Sequence, residues 1–204
     1  MSRLELDHVV IAAADLDDAA RELESRHGLA SVEGGRHLDW GTANRIVPLG
    51  DTYLELIAVV DQAKAAETVP GRWVGSARDG QPLGWAVRTD DLDAVATRLG
   101  LTTGEGSRVT PDGSVLRWRS AGLERSVDKP TLPFFIEWHP ETPFPGRADT
   151  SELRIVRVGL VGDDGQLTRW LGDNELAIEV REGTPAVARV VLAGPAGEVV
   201  LGEP

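Results

Sequence analysis

Apolar and polar positions alternate at the start of the chain and then change to a helical spacing. Residues 4–11 (Leu-Glu-Leu-Asp-His-Val-Val-Ile) alternate and then become apolar on both faces, which predicts a strand. From Leu16 to Leu23 the apolar residues recur at the spacing of one helix face. Asp15 before this stretch is a candidate N-cap, and Gly28 after it is a candidate helix end.

The same pattern returns 76 residues later, where Asp91 precedes a second helical stripe from Leu92 to Leu99. Strands are predicted at 44–49, 52–60, 83–88, 114–120 and 132–139, with a turn at Gly34–His37. We therefore predict two βαβββ modules, at residues 1–60 and 83–140. The segment 61–82 is a polar connector, of which 62–68 could be helical.

A Pro-rich hinge at 141–150 is followed by a third block of elements. The pattern predicts a strand at 153–161, a helix at 166–171 and strands near 175–181, 186–193 and 197–202. Residues 151–204 are thus interpreted as a shrunken third module that covers or extends a sheet. The predicted fold class is α+β: paired βαβββ modules that form a cupped mixed sheet, with a small C-terminal β-rich module.

Composition narrows the function classes. The 204 residues include no Cys, so a disulfide, a thiolate nucleophile and a Cys-bound zinc are excluded. The formal net charge of -12 repels phosphate backbones, and no basic amphipathic helix is evident, so we expect neither nucleic acid nor a membrane as partner. The chain has no long apolar run and no apolar block near its N-terminus, which leads us to expect a cytoplasmic protein.

Three polar residues lie in the middle of largely apolar strands: His8, Glu55 and Glu137. An ionised carboxylate in such a place is costly unless it is paired or bound to a metal. Glu55 and Glu137 are interpreted as occupying the same position in the last strand of each module, so we expect both to face one cleft with His8. The alternative is ion pairing with arginine, at Arg45, Arg117 or Arg119.

Further candidates surround this cleft, each with a structural alternative. His37 is a candidate general base or a turn-stabilising histidine, and Asn44 could hold a ligand carbonyl or belong to a turn. Trp40 and Trp118 could line an apolar pocket or fill the core. Arg88 could bind a substrate carboxylate or form a salt bridge at the rim. Neither a Walker A loop nor a Rossmann fingerprint is present, so no nucleotide cofactor is expected.

Several segments together resemble a known family. They are residues 6–10 (Leu-Asp-His-Val-Val), 41–44 (Gly-Thr-Ala-Asn), 53–56 (Tyr-Leu-Glu-Leu) and 133–138 (Pro-Phe-Phe-Ile-Glu-Trp). With the paired modules, these segments resemble the glyoxalase-like domain family of the vicinal oxygen chelate superfamily, which includes glyoxalase I, extradiol dioxygenases and bleomycin-resistance proteins. In metal-binding members of that superfamily, the ligands come from the first and last strands of each module.

The resemblance implies one divalent metal (Fe, Mn, Ni, Zn or Co) on His8, Glu55 and Glu137. Gly84 at the fourth ligand position departs from the pattern. The implied function is a small-molecule enzyme with lyase or isomerase chemistry on vicinal oxygens. For such an enzyme we expect His37 and Glu137 to be catalytic and Trp40, Asn44, Arg88 and Trp118 to contact substrate.

Two other functions remain open. One is an oxygenase, and the other is a metal-free protein of the bleomycin-resistance type that binds or sequesters a small molecule. Gly84 favours the metal-free hypothesis. Superfamily members commonly pair, so we predict a homodimer, although the third module could occupy the usual pairing surface within one chain.

Overall fold

The structure is a computed structural model that describes residues 3–147, 152–195 and 197–203. The predicted hinge and the predicted first and third modules therefore lie partly outside the described residues. The helices are α1 (Leu16–His27), α2 (Gln62–Glu67), α3 (Val69–Gly75), α4 (Leu92–Leu99), α5 (Leu123–Asp128) and α6 (Asp164–Leu171). The strands of the first 140 residues are β1 (Leu4–Ala12), β2 (Val32–His37), β3 (Thr42–Pro48), β4 (Tyr53–Val59), β5 (Pro82–Thr89), β6 (Thr103–Val109), β7 (Val115–Ala121) and β8 (Phe134–Trp138). Those that follow are β9 (Arg154–Val161), β10 (Ile178–Arg181), β11 (Ala186–Gly194) and β12 (Gly197–Gly202).

The two predicted helices α1 and α4 are capped by the residues that the sequence indicated. The Asp15 carboxylate accepts hydrogen bonds from the backbone N–H groups of Asp17 and Asp18, and the Asp91 carboxylate accepts one from Ala94. Gly28 ends α1 in the left-handed conformation, at φ 66°. Because glycine has no Cβ, this conformation costs it little, and the chain can turn back into the sheet.

Eight strands form one mixed sheet that closes into a barrel in the order β1-β4-β3-β2-β6-β7-β8-β5. β1 is parallel to β4 and antiparallel to β5, while β5 is parallel to β8. β2 meets β6 through the pair Arg36 and Val109. The predicted mixed sheet is confirmed, and its curvature goes beyond a cup to closure.

Two apolar cores follow from this closure. One lies inside the barrel, where Val10, Ile57, Phe134 and Trp118 meet. The other lies outside, where the helices and a second sheet cover the outer face of β1 and β5 around Trp85. That second sheet has the order β10-β9-β11-β12, so the C-terminal elements cover the barrel, which is one of the two roles that the sequence left open. Among the described residues, no helix is long and apolar enough to cross a membrane.

Some elements differ from the prediction. The residues Gly34–His37 belong to strand β2 rather than to a turn, and β6 was not foreseen. Both strands contain two glycines and several charged residues, which hide the apolar alternation of a strand. Their glycines leave room for interior side chains: a Cβ on Gly106 would lie 2.3 Å from Nε1 of Trp118. The connector contains α2, as expected in part, together with α3, and α5 precedes β8.

Candidate functional site inside the barrel

His8 and Glu55 face each other inside the barrel. β1 and β4 run parallel with Val10 paired to Glu55, which places the His8 ring beside the carboxylate. His8 Nε2 lies 3.5 Å from Oε2 of Glu55, and the two residues are 3% and 9% exposed. His8 and Glu55 therefore face each other, as we expected from the sequence.

The other ring nitrogen of His8 is held by Asp7, a residue that the sequence analysis did not single out. Nδ1 of His8 lies 2.6 Å from Oδ1 of Asp7, and the Trp138 indole donates to Oδ2 of Asp7 at 3.0 Å. The register of β1 against β5 shifts between Leu6 and His8, so that two consecutive side chains turn into the barrel. The His8 ring also stacks on Tyr53, with centroids 4.6 Å apart.

Burial raises the pKa of Tyr53 well above its ordinary value, and the neighbouring carboxylates of Asp7 and Glu55 add to this. Tyr53 therefore keeps its proton at neutral pH. It serves here as a neutral aromatic wall for the His8 ring.

The second carboxylate oxygen of Glu55 is held by an amide. Nδ2 of Asn44 donates to Oε1 of Glu55, and Oδ1 of Asn44 accepts from Nη1 of Arg108 at 2.9 Å. Burial alone raises the pKa of Glu55, but His8, His37, Asn44 and Arg108 together bring it below the ordinary value. Glu55 is therefore ionised at neutral pH.

His37 lies next to this carboxylate. Its Nε2 is 3.9 Å from Oε1 of Glu55, and its Nδ1 is 3.1 Å from the hydroxyl of Thr42. Burial lowers the pKa of His37 to about 4, against the opposing effect of Glu55, so the imidazole is neutral at pH 7. The ring lies between Trp40 and Trp118, with centroid distances of 5.0 and 6.1 Å.

A cavity of about 370 Å³ reaches His37 from the surface. We call it the β2–β6 slit, because it lies where the turn after β2 separates from β6. It is lined by His37, Asp39, Trp40, Glu105, Gly106, Ser107 and Arg117. Of the buried polar residues described above, His37 is the one that lines this cavity, so it is the group that a small molecule in the slit would meet.

Glu137 lies apart from these residues. Its Oε2 is 3.1 Å from Nη1 of Arg119, and its Oε1 accepts from the backbone N–H of Leu92 at the start of α4. The interpretation that placed Glu137 in the cleft was out of register. Ala86 in β5 occupies the position that Val10 occupies in β1. Val10 pairs with Glu55 and Ala86 pairs with Phe134, so the counterpart of Glu55 is Phe134 rather than Glu137. An odd shift along a strand reverses the face, so Glu137 points outside the barrel.

The ligand positions that the superfamily uses do not fit a metal in this chain. His8 and Glu55 fill the positions of the first half, but Gly84 and the apolar Phe134 fill those of the second. The ring of Trp73 covers Gly84, with atoms 2.8 and 2.9 Å from where a Cβ would lie. Within residues 3–147, 152–195 and 197–203, no three His, Asp or Glu side chains are arranged to hold an ion.

The remaining candidates fall into two groups. Trp40, Trp118 and Asn44 surround His37 and Glu55, as described above. Arg88 does not: it pairs with Glu5 and donates to the backbone carbonyl of Asp51, in the turn between β3 and β4. His37 precedes the other end of β3, so Arg88 forms the rim salt bridge that was its structural alternative.

Three residues of the site were missed in the sequence: Asp7, Thr42 and Arg108. Asp7 and Thr42 lie within the segments that carried the family resemblance, so their position beside His8 and Asn44 was a usable signal. Arg108 gave none, because its strand was not recognised.

The family model for the glyoxalase-like domain matches residues 6–175. The chain belongs to the glyoxalase-like domain family. The match confirms the resemblance to the glyoxalase-like domain family drawn from the sequence and extends it into the C-terminal part of the chain.

Three solved structures are similar to this chain, and the first of them supports the fold. A hypothetical protein from Staphylococcus aureus superposes with a TM-score of 0.74 at 16% identity, covering 94% of this chain and 91% of that one. Methylmalonyl-CoA epimerase from Mycobacterium tuberculosis gives a TM-score of 0.48 at 24% identity, over 67% of this chain and 89% of that one. A hypothetical protein from Bacillus halodurans C-125 gives 0.48 at 11% identity, over 69% and 96%. No curated protein sequence matches the chain.

Proposed function

We propose that this glyoxalase-like protein is an enzyme that moves a proton on a small carbonyl compound bound in the β2–β6 slit. The observation that carries this proposal is His37: a neutral imidazole that lines the slit and lies 3.9 Å from an ionised, buried carboxylate. A neutral imidazole can accept a proton, and the Glu55 carboxylate would stabilise the imidazolium that forms.

The chemistry is of the isomerase or lyase type. His37 Nε2 takes a proton from a carbon next to the substrate carbonyl. The electron pair of that C–H bond forms a C=C bond, and the π pair of the carbonyl moves onto its oxygen to give an enolate. Return of the proton to the opposite face of that carbon gives the epimer. In elimination the enolate reforms the carbonyl, a group leaves the neighbouring carbon with its bonding pair, and the proton on His37 passes to the leaving group or to water. Neither outcome needs an oxidant or a reductant.

A divalent metal on His8, Glu55 and Glu137 is not the basis of this proposal. Glu137 is bound to Arg119 outside the barrel, and Trp73 covers the position of Gly84. The proposed proton transfer is therefore assigned to side chains of this chain alone.

A second candidate function is binding or sequestration of an apolar small molecule. The tryptophans 40, 73, 118 and 138 around the barrel interior favour it, together with the apolar Phe134 at a ligand position. A binder of this kind would hold its ligand without exchanging any of the ligand's protons.

The test is deuterium exchange into small carbonyl compounds, followed by NMR in D₂O with a chelator present. We expect exchange with the wild type and a decrease of about 100-fold or more in His37→Gln. His139→Gln is the matched control, since His139 is exposed after the end of β8. Exchange that is equally fast in His37→Gln would refute the proposal, and binding without exchange would support the second candidate.

A homodimer in the cytoplasm stays a prediction, and light scattering at micromolar concentration tests the dimer.

A further inference from the structure

Arg108 is a buried cation that no carboxylate accompanies. The residue is 5% exposed and lies in β6 opposite the buried Leu116 of β7. In the part of the chain that the structure describes, its guanidinium forms no ion pair, and its hydrogen bond runs from Nη1 to Oδ1 of Asn44, at 2.9 Å. A guanidinium keeps its positive charge at neutral pH and carries several N–H donors, so most of the donors of Arg108 meet no acceptor from the described residues.

This state of a buried charge is costly, because lost hydration is not replaced by a counter-charge. The carboxylates inside the barrel are better provided for. Asp7 lies 2.6 Å from Nδ1 of His8, and Glu55 accepts from Asn44 and lies 3.5 Å from Nε2 of His8. Arg108 has a neutral amide in place of a charged partner. A buried guanidinium of this kind fits a site that an anionic ligand completes.

Arg108 lies at the join between the two halves of the barrel. The next residue, Val109, forms the pair with Arg36 through which β6 meets β2. From there the Arg108 side chain passes over β2 at Gly34, where a Cβ would lie 2.5 Å from Nη1, and reaches Asn44 in β3. Since this join rests on so short a stretch of backbone pairing, its opening gives a small molecule access to the guanidinium.

We propose that Arg108 binds a small carboxylate of single negative charge between β6 and β3. The two carboxylate oxygens accept from the guanidinium, and one of them takes the place of Oδ1 of Asn44. The ionised Glu55 lies directly beyond Asn44 and repels a second negative charge, which disfavours a phosphate. Arg108 is not part of the lining of the β2–β6 slit, so this site goes beyond the proposed function and does not depend on proton transfer at His37.

Three probes at equal ionic strength test the site: propionate, propionamide and inorganic phosphate. The readout is the NMR signal of the Arg108 Nε–H in ¹⁵N-labelled protein, assigned by its absence from Arg108→Lys. We expect propionate to move this signal at the lowest concentration. Propionamide has nearly the same shape but no charge, and phosphate carries almost two charges, so each should bind about tenfold or more weakly.

The variant Arg108→Gln removes the charge and keeps a donor for Asn44. It should weaken propionate binding about tenfold or more and lose the rise in melting temperature that propionate gives the wild type. Arg125→Gln, at an exposed arginine of α5, is the matched control and should retain the wild-type affinity.

A pair of glycine variants tests the position of the site. Gly34→Ala crowds Nη1 of Arg108 and should weaken propionate binding, whereas Gly104→Ala has nothing within 4 Å of the new Cβ and should not.

Three results would overturn the proposal. If propionate leaves the Arg108 signal of the wild type unmoved, water rather than an anion meets the free donors. If propionate binds wild type and Arg108→Gln equally, the anion is bound elsewhere. If propionate and propionamide bind equally, the charge of Arg108 is not what the ligand meets. Binding of propionate at Arg108 without deuterium exchange at His37 would leave this site in place and remove the proposed function alone.

Discussion

At the scale of single residues, the site is defined by how burial and neighbouring charge act on two side chains. Glu55 loses hydration in the barrel, but two imidazoles, an amide and the Arg108 guanidinium compensate for it, so its pKa falls. His37 loses hydration as well, and here burial prevails over the attraction of Glu55, so its pKa falls to about 4. The result is a charged acceptor beside an uncharged base, an arrangement suited to receiving a proton.

The depressed pKa of His37 has a consequence for stability. The unfolded chain binds a proton at this histidine below about pH 6.5, whereas the folded chain binds it only near pH 4. Stability from this residue is therefore complete above pH 6.5 and is lost as the pH falls towards 4, by on the order of 3 kcal/mol. Urea unfolding between pH 4 and 7.5 should show a shallower pH dependence for His37→Gln than for wild type. His139→Gln should retain the wild-type slope, and a wild-type slope in His37→Gln would contradict the assigned burial.

The placement of Glu137 predicts how the protein responds to metals. Since Glu137 is bound to Arg119 outside the barrel, it cannot complete a site with His8 and Glu55. We expect Mn, Fe, Co, Ni or Zn to change the melting temperature of wild type and Glu55→Gln by the same amount. Thermal shift assays with chelator-treated protein measure this, with Glu137→Gln as a second variant. A metal-dependent stabilisation of wild type that disappears in both Glu55→Gln and Glu137→Gln would restore the metal hypothesis.

At the scale of elements, glycines in two barrel strands make room for large interior side chains. In β6, a Cβ at position 106 would overlap the Trp118 indole, while one at position 104 would meet nothing within 4 Å. Gly106→Ala should therefore destabilise the protein by about 1–3 kcal/mol, because the indole must move. Gly104→Ala in the same strand should leave the free energy of unfolding unchanged or slightly raised. Urea unfolding of the two variants separates a packing effect from a general effect of alanine in this strand.

These elements also show what the sequence could reveal. α1 and α4 were predicted with their caps because Asp, the apolar stripe and Gly act locally, within about a dozen residues. β2 and β6 were missed because their glycines and charged residues hide the apolar alternation of a strand. The faces of His8 and Glu55 follow from the alternation within β1 and β4. The match of Glu137 to Glu55 depends instead on the register between β8 and β5, which local alternation does not reveal.

At the scale of the whole molecule, the C-terminal sheet is part of the core rather than an addition. Val158, Leu160, Val190 and Leu192 are all 1% exposed or less and share one cluster with Trp85. Each buried aliphatic side chain contributes about 1.5–3 kcal/mol, so together they approach the total stability of a domain, about 5–15 kcal/mol.

A chain that ends after residue 147 should therefore lose its cooperative unfolding transition and its near-ultraviolet circular dichroism. The full-length chain under the same conditions is the reference. Cooperative melting of the shortened chain near the wild-type temperature would show that the barrel is stable by itself.

The barrel is closed by two joins of very different extent. β1 and β5 are joined along their lengths, from Leu4 to Ile11, whereas β2 and β6 meet at Arg36 and Val109. The two halves of the barrel are therefore joined by many backbone pairs between β1 and β5 and by few between β2 and β6. Separation of β2 from β6 breaks little backbone pairing and exposes His37. Amide hydrogens of β2 and β6 should therefore exchange with solvent much sooner than those of β1 and β5. The route by which a substrate enters and the weakest join of the fold would then be one and the same place.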